Sequence, residues 1–391
     1  MILYLLFWGV SMREITNFKR DEKRNITVDY DSLAEKKQSL EDFVVNEPLI
    51  NKSIFTESSF PQEIKSNNSI EGIDDAMSEI DQLASRLFVS VNRDKNRILN
   101  LYNGYSYILK NKEINKESLK ELYNILSNGL LPTEYKKRMG EFYREGPVYI
   151  IRGFSEDRYF QGTDYKKIDE YMDILFDYIN NNNFDNNEID SFIKSQIIHC
   201  YCVYIHPYFD VNGRTSRTLG MWYLLNKKAY NYMTFNRSIS FMKSKYEKSL
   251  IELREKGDMT YFLKYILDAE KLELEKEYII NDIEKNIGEK LSNEEYLMLE
   301  YFLSLNGQVT LLDWINLYNE FNQKRKKNII YEDNIKPLVE KGIIKETTPT
   351  KHSVVSGLTN KRLVLNQDMI DVNQKKIKIL NLSHFTKNVQ D

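Results

Sequence analysis

Cysteine, histidine and proline are scarce in this chain, and neither a long apolar run nor an excess of one charge is present. Only two cysteines occur in 391 residues, Cys200 and Cys202, and no His or Cys pair at zinc spacing accompanies them. A disulfide framework and a Cys/His zinc site are therefore excluded, and a reducing, cytoplasmic location is expected. The formal charge is −3, from 55 basic and 58 acidic residues. No global field draws the chain to nucleic acid or acidic lipid. The one apolar terminus, residues 1–10 (MILYLLFWGV), is too short to span a bilayer. It also lacks the basic flank and cleavage site of a secretion signal, so no membrane partner is expected, and Met12 is an alternative start. The length allows two or three domains with a sizeable core.

One stretch is dense where the rest is sparse: residues 206–217, HPYFDVNGRTSR. Pro207 biases His206 away from the helical region, so the apolar run through Ile197, Ile198, Val203 and Ile205 reads as a buried helix ending at the histidine. A second helix is expected to begin near Asn212 to Arg214, because residues 218–225 (TLGMWYLL) are again apolar. Arg214 and Arg217 then share one face of its first turn, where free N–H groups already favour anions. Two cations there call for an anionic ligand, and the loop reads as a phosphate site. Asp210 offers a hard oxygen for Mg²⁺ shared with phosphate, while Asn212 and the N–H of Gly213 can donate to it. His206, with an ordinary pKa of ~6.5, suits a general base. A hairpin turn at Asn212-Gly213 is disfavoured by helical flanks, and an EF-hand loop by Met221 at the twelfth position.

The stretch resembles the signature of the Fic (filamentation induced by cAMP) family, HPFx(D/E)GN(G/K)RxxR, whose usual activity is transfer of AMP from ATP to a protein hydroxyl. The resemblance implies His206 as base on the incoming hydroxyl and Asp210 as Mg²⁺ ligand. It implies Asn212 and Gly213 at the α- and β-phosphates, and Arg214 and Arg217 at the β- and γ-phosphates. Gly213, where the Doc-like kinases carry lysine, resembles the AMP-transferring branch. Two positions depart from the pattern. Tyr208 replaces phenylalanine, and its hydroxyl is expected to find a partner or water. Val211 replaces glycine, and because β-branched residues resist positive φ the loop is expected to take another backbone angle there.

Upstream, residues 66–73 (SNNSIEGI) read as capping residues before a helix that continues through Ile80, Leu83 and Leu87. They also resemble the family's inhibitory motif (S/T)xxxE(G/N), with Asn67 at the Ser/Thr position. That resemblance implies that Glu71 pairs with Arg217 and blocks the γ-phosphate; independently of the name, a carboxylate beside Arg217 would compete with phosphate. Residues 140–144 (GEFYR) resemble the opening of the family's active-site flap, and residues 147–151 (PVYII) read as a short strand or hairpin. Val148, Tyr149 and Ile150 would position a target peptide by strand pairing, against the plainer reading of an ordinary hairpin edge. His199 reads as a satisfied core histidine. Tyr246 and Tyr261 read as packing residues or the edge of an adenine pocket.

The expected fold is mostly α: a Fic-type helical bundle with a short β-hairpin flap, plus a C-terminal winged-helix (α+β) domain. The boundaries are an N-terminal arm over 1–60, a Fic domain with its inhibitory helix over 61–270, a helical connector over 271–290, a winged-helix-like domain over 291–366 and a tail over 367–391. The expected function is protein adenylyltransferase, autoinhibited by Glu71, with Mg²⁺ as cofactor and ATP as substrate. Its partners are a target protein with a Ser, Thr or Tyr hydroxyl, or the chain itself, and a homo-oligomer. Docking or dimerisation is the favoured role of the winged helix over DNA binding, since Asp333 and Glu340 lie beside Lys336 and Lys341; residues 324–327 (KRKK) could touch a nucleic-acid backbone. The alternatives are a nucleotide-sensing regulator with a decayed site, and phosphate transfer or AMP removal at an intact one.

Overall fold

The computed structural model describes residues 13–46, 59–73, 80, 93–151, 159–181, 186–304, 308–321, 324–347 and 362–369. It is mostly helical with short strand pairs. The chain divides into two compact units that meet in sequence at Lys271 and Leu272, with residues 72–73 and Ile80 counted in the second. Among the described residues no helix is long and apolar enough to cross a membrane.

The first unit opens with an antiparallel hairpin, β1 (Arg13–Lys19) and β2 (Asn25–Asp29). Alternation in NITVD buries Ile26 and Val28 on one face, and Phe18 packs against the rings of Tyr178 and Tyr201 at 4.9 and 4.2 Å. Thr27 exchanges backbone hydrogen bonds with Gly257 and Met259, both at 2.9 Å. The expected arm over 1–60 is thus corrected: residues 13–46, which include helix α1 (Ala34–Asn46), are built into the unit. Residues 1–12 lie outside the described residues.

Helix α2 (Phe60–Ile70) starts at a proline in its first turn and buries Phe60, Ile64, Asn67, Asn68 and Ile70. Ser66 and Asn67 therefore sit inside a helix rather than capping the next one, because the apolar spacing begins at Phe60. Of the helix expected beyond, only Ile80 is described. Next come α3 (Arg93–Lys110) and α4 (Lys116–Ser127), the latter opened by a reciprocal Asn115/Ser118 capping box. The flap is a real hairpin, β3 (Tyr149–Ile151) paired antiparallel with β4 (Tyr159–Gln161).

Helices α5 (Ile168–Asn180), α6 (Glu188–Ile205) and α7 (Asn212–Lys227) complete the centre. Every residue of α6 from Ser191 to Cys202 is buried, as is every residue of α7 from Arg214 to Leu225. Helices buried all round form the middle of a bundle, so the turn between them is held on both sides. Helices α8 (Phe235–Phe241) and α9 (Lys243–Lys256) follow, then the long α10 (Thr260–Ile287), which continues into the second unit.

The second unit contains α11 (Asn293–Ser304), β5 (Gln308–Thr310), α12 (Leu311–Phe321) and a helical stretch over 327–340 with a π turn at Tyr331–Ile335. Strands β6 (Ile344–Thr347) and β7 (Arg362–Leu365) close an antiparallel sheet of order β5-β7-β6. Phe302 and Trp314 meet edge to face at 4.8 Å in its core with Leu338, Ile344 and Leu363. Both expected helix openings carry their caps: Glu295 N–H donates to Ser292 Oγ at 3.2 Å, and Asp313 N–H to Thr310 Oγ1 at 3.1 Å. Strand β5 was not expected, since Thr310 reads in the sequence only as a cap.

Candidate active site

The turn between α6 and α7 runs from His206 to Val211. Helix α6 ends when His206 adopts a left-handed conformation (φ 57°, ψ 61°) and its N–H still reaches Cys202 O at 3.1 Å. Pro207 pushes its predecessor out of the right-handed region, as expected, yet into the left-handed one rather than an extended one. Val211 is also left-handed (φ 65°, ψ 13°), so the expectation that valine would enforce another angle is overturned. Its side chain is buried, and its carbonyl accepts Thr215 N–H at 3.0 Å and Thr215 Oγ1 at 2.8 Å. Packing and these bonds outweigh a left-handed cost of roughly 1–2 kcal/mol.

Asn212 fixes the turn from within: its Oδ1 accepts Tyr208 N–H at 2.9 Å and its Nδ2 donates to Tyr208 O at 2.9 Å. Its amide is committed to the loop. Tyr208 lies under the loop, stacked on Tyr123 at 3.6 Å, and its buried hydroxyl has no partner among the described residues. The partner or route to water expected from the sequence is not found among the described residues, Tyr208 being 0% exposed. Phe209 stacks on Tyr135 at 5.0 Å.

His206 Nδ1 lies 3.3 Å from Val203 O. A carbonyl only accepts, so Nδ1 carries the proton and Nε2 holds the lone pair of a base. Burial, aided by the nearby Arg254 cation, pushes the imidazole pKa down to about 3. The ring is neutral at physiological pH. Arg254 belongs here structurally as well, donating to Val203 O at 3.1 Å and Tyr204 O at 2.8 Å at the end of α6.

On the other side of the turn, the first turn of α7 has no side-chain cap at Val211. Arg217 is 1% exposed and donates from Nη2 to Glu71 Oε1 at 2.6 Å, while Glu71 is 33% exposed at the end of α2. Burial alone would raise the Glu71 carboxyl; the Arg217 and Arg214 charges and the Arg217 hydrogen bond outweigh it and hold it below its ordinary value. Arg217 also reaches Asn67 Oδ1, from Nε at 3.0 Å and Nη2 at 2.7 Å. Arg214 is 6% exposed, and its Nε and Nη1 have no hydrogen-bond partner among the described residues. Burial lowers its pKa, yet a guanidinium does not deprotonate, so this is a buried cation awaiting an acceptor. Gly213 makes the approach possible, since a Cβ there would stand 2.6 Å from Glu71 Oε1.

Arg144 ties the flap to this turn. It is buried, its N–H donates to Pro207 O at 3.0 Å, and its Nε donates to His206 O at 2.9 Å. Its other guanidinium nitrogens reach Gly146 O and, at 2.6 Å, Thr163 O on the two sides of the hairpin. Beyond it Val148 O accepts Gly162 N–H at 2.9 Å, Ile150 pairs with Phe160, and Tyr149 is 58% exposed.

His206, Asp210, Asn212, Gly213, Arg214, Arg217 and Glu71 therefore gather around one turn. No group of three or more metal-ligating side chains occurs among the described residues. Asp210 is exposed, with Oδ1 accepting Val211 N–H at 2.7 Å. A lone carboxylate beside an unsatisfied guanidinium suits Mg²⁺ that arrives with phosphate, not a metal held by protein alone. His199 is satisfied by Gln196 at 3.3 Å and Tyr246 at 3.0 Å, as read from the sequence. Tyr246 is buried against Arg217, whereas Tyr261 is 39% exposed. Sequence reasoning placed Asn67 and Arg144 in motifs but missed their bonds to Arg217 and to the turn, and it missed Arg254, which left no signal.

Residues 113–224 match the model of the Fic/DOC family. These residues form a Fic domain. A Fic family protein from Desulfovibrio desulfuricans G20 shares its fold, with TM-score 0.52 and 17% identity over 86% of this chain and 95% of the other. Fic-1 of C. elegans (residues 134–508) gives TM-score 0.48 at 15% identity over 63% of this chain and 72% of the other. A Fic domain containing signaling protein from Bacteroides thetaiotaomicron VPI-5482 gives 0.44 at 17% over 67% and 99%. No curated protein sequence matches the chain at a significant level. The Fic domain match spans the flap and signature turn but stops short of Glu71 and the second unit.

Proposed function

We propose that the chain is a protein adenylyltransferase held off by Glu71. The observation that carries this is the buried pair of cations: among the described residues, Arg214 has donors without acceptors and Arg217 meets one carboxylate. Unpaired buried charge is costly, and a polyphosphate would satisfy both groups at once. In the reaction a target hydroxyl oxygen attacks the α-phosphorus of ATP while His206 Nε2 takes its proton. The bond from that phosphorus to the bridging oxygen breaks, and pyrophosphate leaves with the electron pair. The first-turn N–H groups of α7 and the two arginines face the charge that develops. Asp210 would hold Mg²⁺ with phosphate oxygens, the ion supplying charge neutralisation. Glu71 occupies Arg217 until it withdraws, and the flap edge at Val148 to Ile150 aligns the target. ATP labelled at the α- or the γ-phosphate tests the reaction: label from the α-position only supports AMP transfer, whereas label from the γ-position moves the chain to phosphate transfer.

For the second unit we infer a winged-helix module for docking or dimerisation. Its element order supports this, and Lys336 is engaged by Glu332 at 2.7 Å and Arg325 by Asp333 at 2.6 Å, which weakens a phosphate-binding face. Retention on DNA that falls steeply with salt would overturn that inference.

A further inference from the structure

We infer that Asn67 is the positioning residue that keeps Arg217 aimed at the terminal phosphate after Glu71 has withdrawn; the inference rests on the adenylyltransferase reading. The guanidinium has two acceptors on α2, one turn apart, and they differ in kind. Glu71 is charged, one-third exposed and at the helix end, next to Gly72 in a left-handed conformation (φ 76°). Asn67 is neutral, 0% exposed and in the helix interior. Its Oδ1 takes both the Nε and an Nη2 hydrogen of Arg217, and its Nδ2 donates to Tyr105 OH at 3.0 Å. A guanidinium only donates, so Arg217 fixes which way the amide faces: Oδ1 points at the arginine and Nδ2 is left to donate to Tyr105, whose hydroxyl accepts.

When Glu71 leaves, one Nη2 hydrogen is released while the two bonds to Asn67 remain. Arg217 keeps its pose without losing its charge. A fork held at Nε and Nη2 by a neutral group presents its remaining donors in fixed geometry, which lowers the ordering cost of receiving phosphate. A carboxylate at the same position would hold the fork equally well but neutralise it permanently. A smaller hydroxyl would not span both nitrogens. Asparagine at residue 67 thus separates positioning from inhibition, leaving inhibition to Glu71 alone.

The test measures affinities of Mg·ATP and Mg·ADP for full-length Glu71→Gly, alone and combined with Asn67→Ala, Asn67→Asp, Tyr105→Phe or Arg217→Ala. Asn67→Asp is isosteric, and Tyr105 OH can turn from acceptor to donor to meet it, so folding is retained. The expected result is an ATP-over-ADP preference that falls on the order of tenfold with Asn67→Ala and at least as far with Asn67→Asp. Tyr105→Phe removes only the bond from Asn67 Nδ2 and keeps both bonds from Arg217 to Oδ1, so it should leave the preference unchanged. Loss of preference with Arg217→Ala but not with either Asn67 variant overturns the inference while leaving the functional reading intact. If Arg217→Ala itself keeps the preference, Arg217 does not read the terminal phosphate, and both fall.

Discussion

Val211 offers a measurement in which the gap between two substitutions is decisive. At an ordinary helical or extended position, glycine is less stable than alanine by about 1 kcal/mol because of chain entropy. It also loses one more buried methyl, worth ~0.8 kcal/mol. Val211 is buried, with φ 65°. Here glycine escapes the left-handed cost of roughly 1–2 kcal/mol that alanine still carries, and the gap of nearly 2 kcal/mol narrows to less than about 1. Both variants lose methyl groups relative to valine and should be less stable than it by about 1–2 kcal/mol. We therefore predict that Val211→Gly lies within about 1 kcal/mol of Val211→Ala, where an ordinary position would separate them by nearly 2. The slowest-exchanging amides of α6 and α7, followed by hydrogen exchange, report the opening free energy of this unit without involving the second one. A glycine variant less stable than alanine by 1 kcal/mol or more would mean that the residue is not left-handed, and the account of the turn would fail.

Three further outcomes are expected. Tyr208→Phe removes a buried hydroxyl without a partner among the described residues; stability should stay level or rise by up to ~1 kcal/mol by the same exchange readout, and a clear loss would reveal a hidden partner. In the Glu71→Gly background, transfer should persist well below pH 6.5, because His206, depressed to about 3, stays neutral where an ordinary histidine would protonate. Glu71, itself held below its ordinary value, keeps its pair with Arg217 as pH falls to that range, so the ratio of Glu71→Gly to wild-type activity should be flat between about pH 5 and 8. Arg144→Met leaves the carbonyls of His206, Gly146 and Thr163 without their donor; a loss of about 2–4 kcal/mol is expected, with faster exchange at the base of β3 and β4 and partial recovery in Arg144→Lys.

Much of this architecture was legible because its causes are local. The apolar run before His206 and the run after Arg217 set two helices and the turn between them. Ser292 and Thr310 announced two helix starts in the second unit, and PVYII announced the flap. The parts that were not legible depend on partners far away in sequence. Residues 13–29 looked like an arm because their packing surface, Tyr178, Tyr201 and the backbone at Gly257, comes much later. Asn67 looked like a departure from a motif because its partner, Arg217, lies 150 residues on. Val211 was misjudged for a different reason: intrinsic preference gave the right cost, but the packing and hydrogen bonds that exceed it were invisible.

The central claim is that one turn transfers AMP and one carboxylate restrains it. The most direct measurement is incorporation of α-phosphate label into protein by wild type, Glu71→Gly and Glu71→Gly/His206→Ala, each with Mg²⁺. The account predicts little label in wild type, a large rise with Glu71→Gly and its loss in the double variant. Equal label in wild type and Glu71→Gly would contradict the restraint, and label that survives His206→Ala would contradict the base.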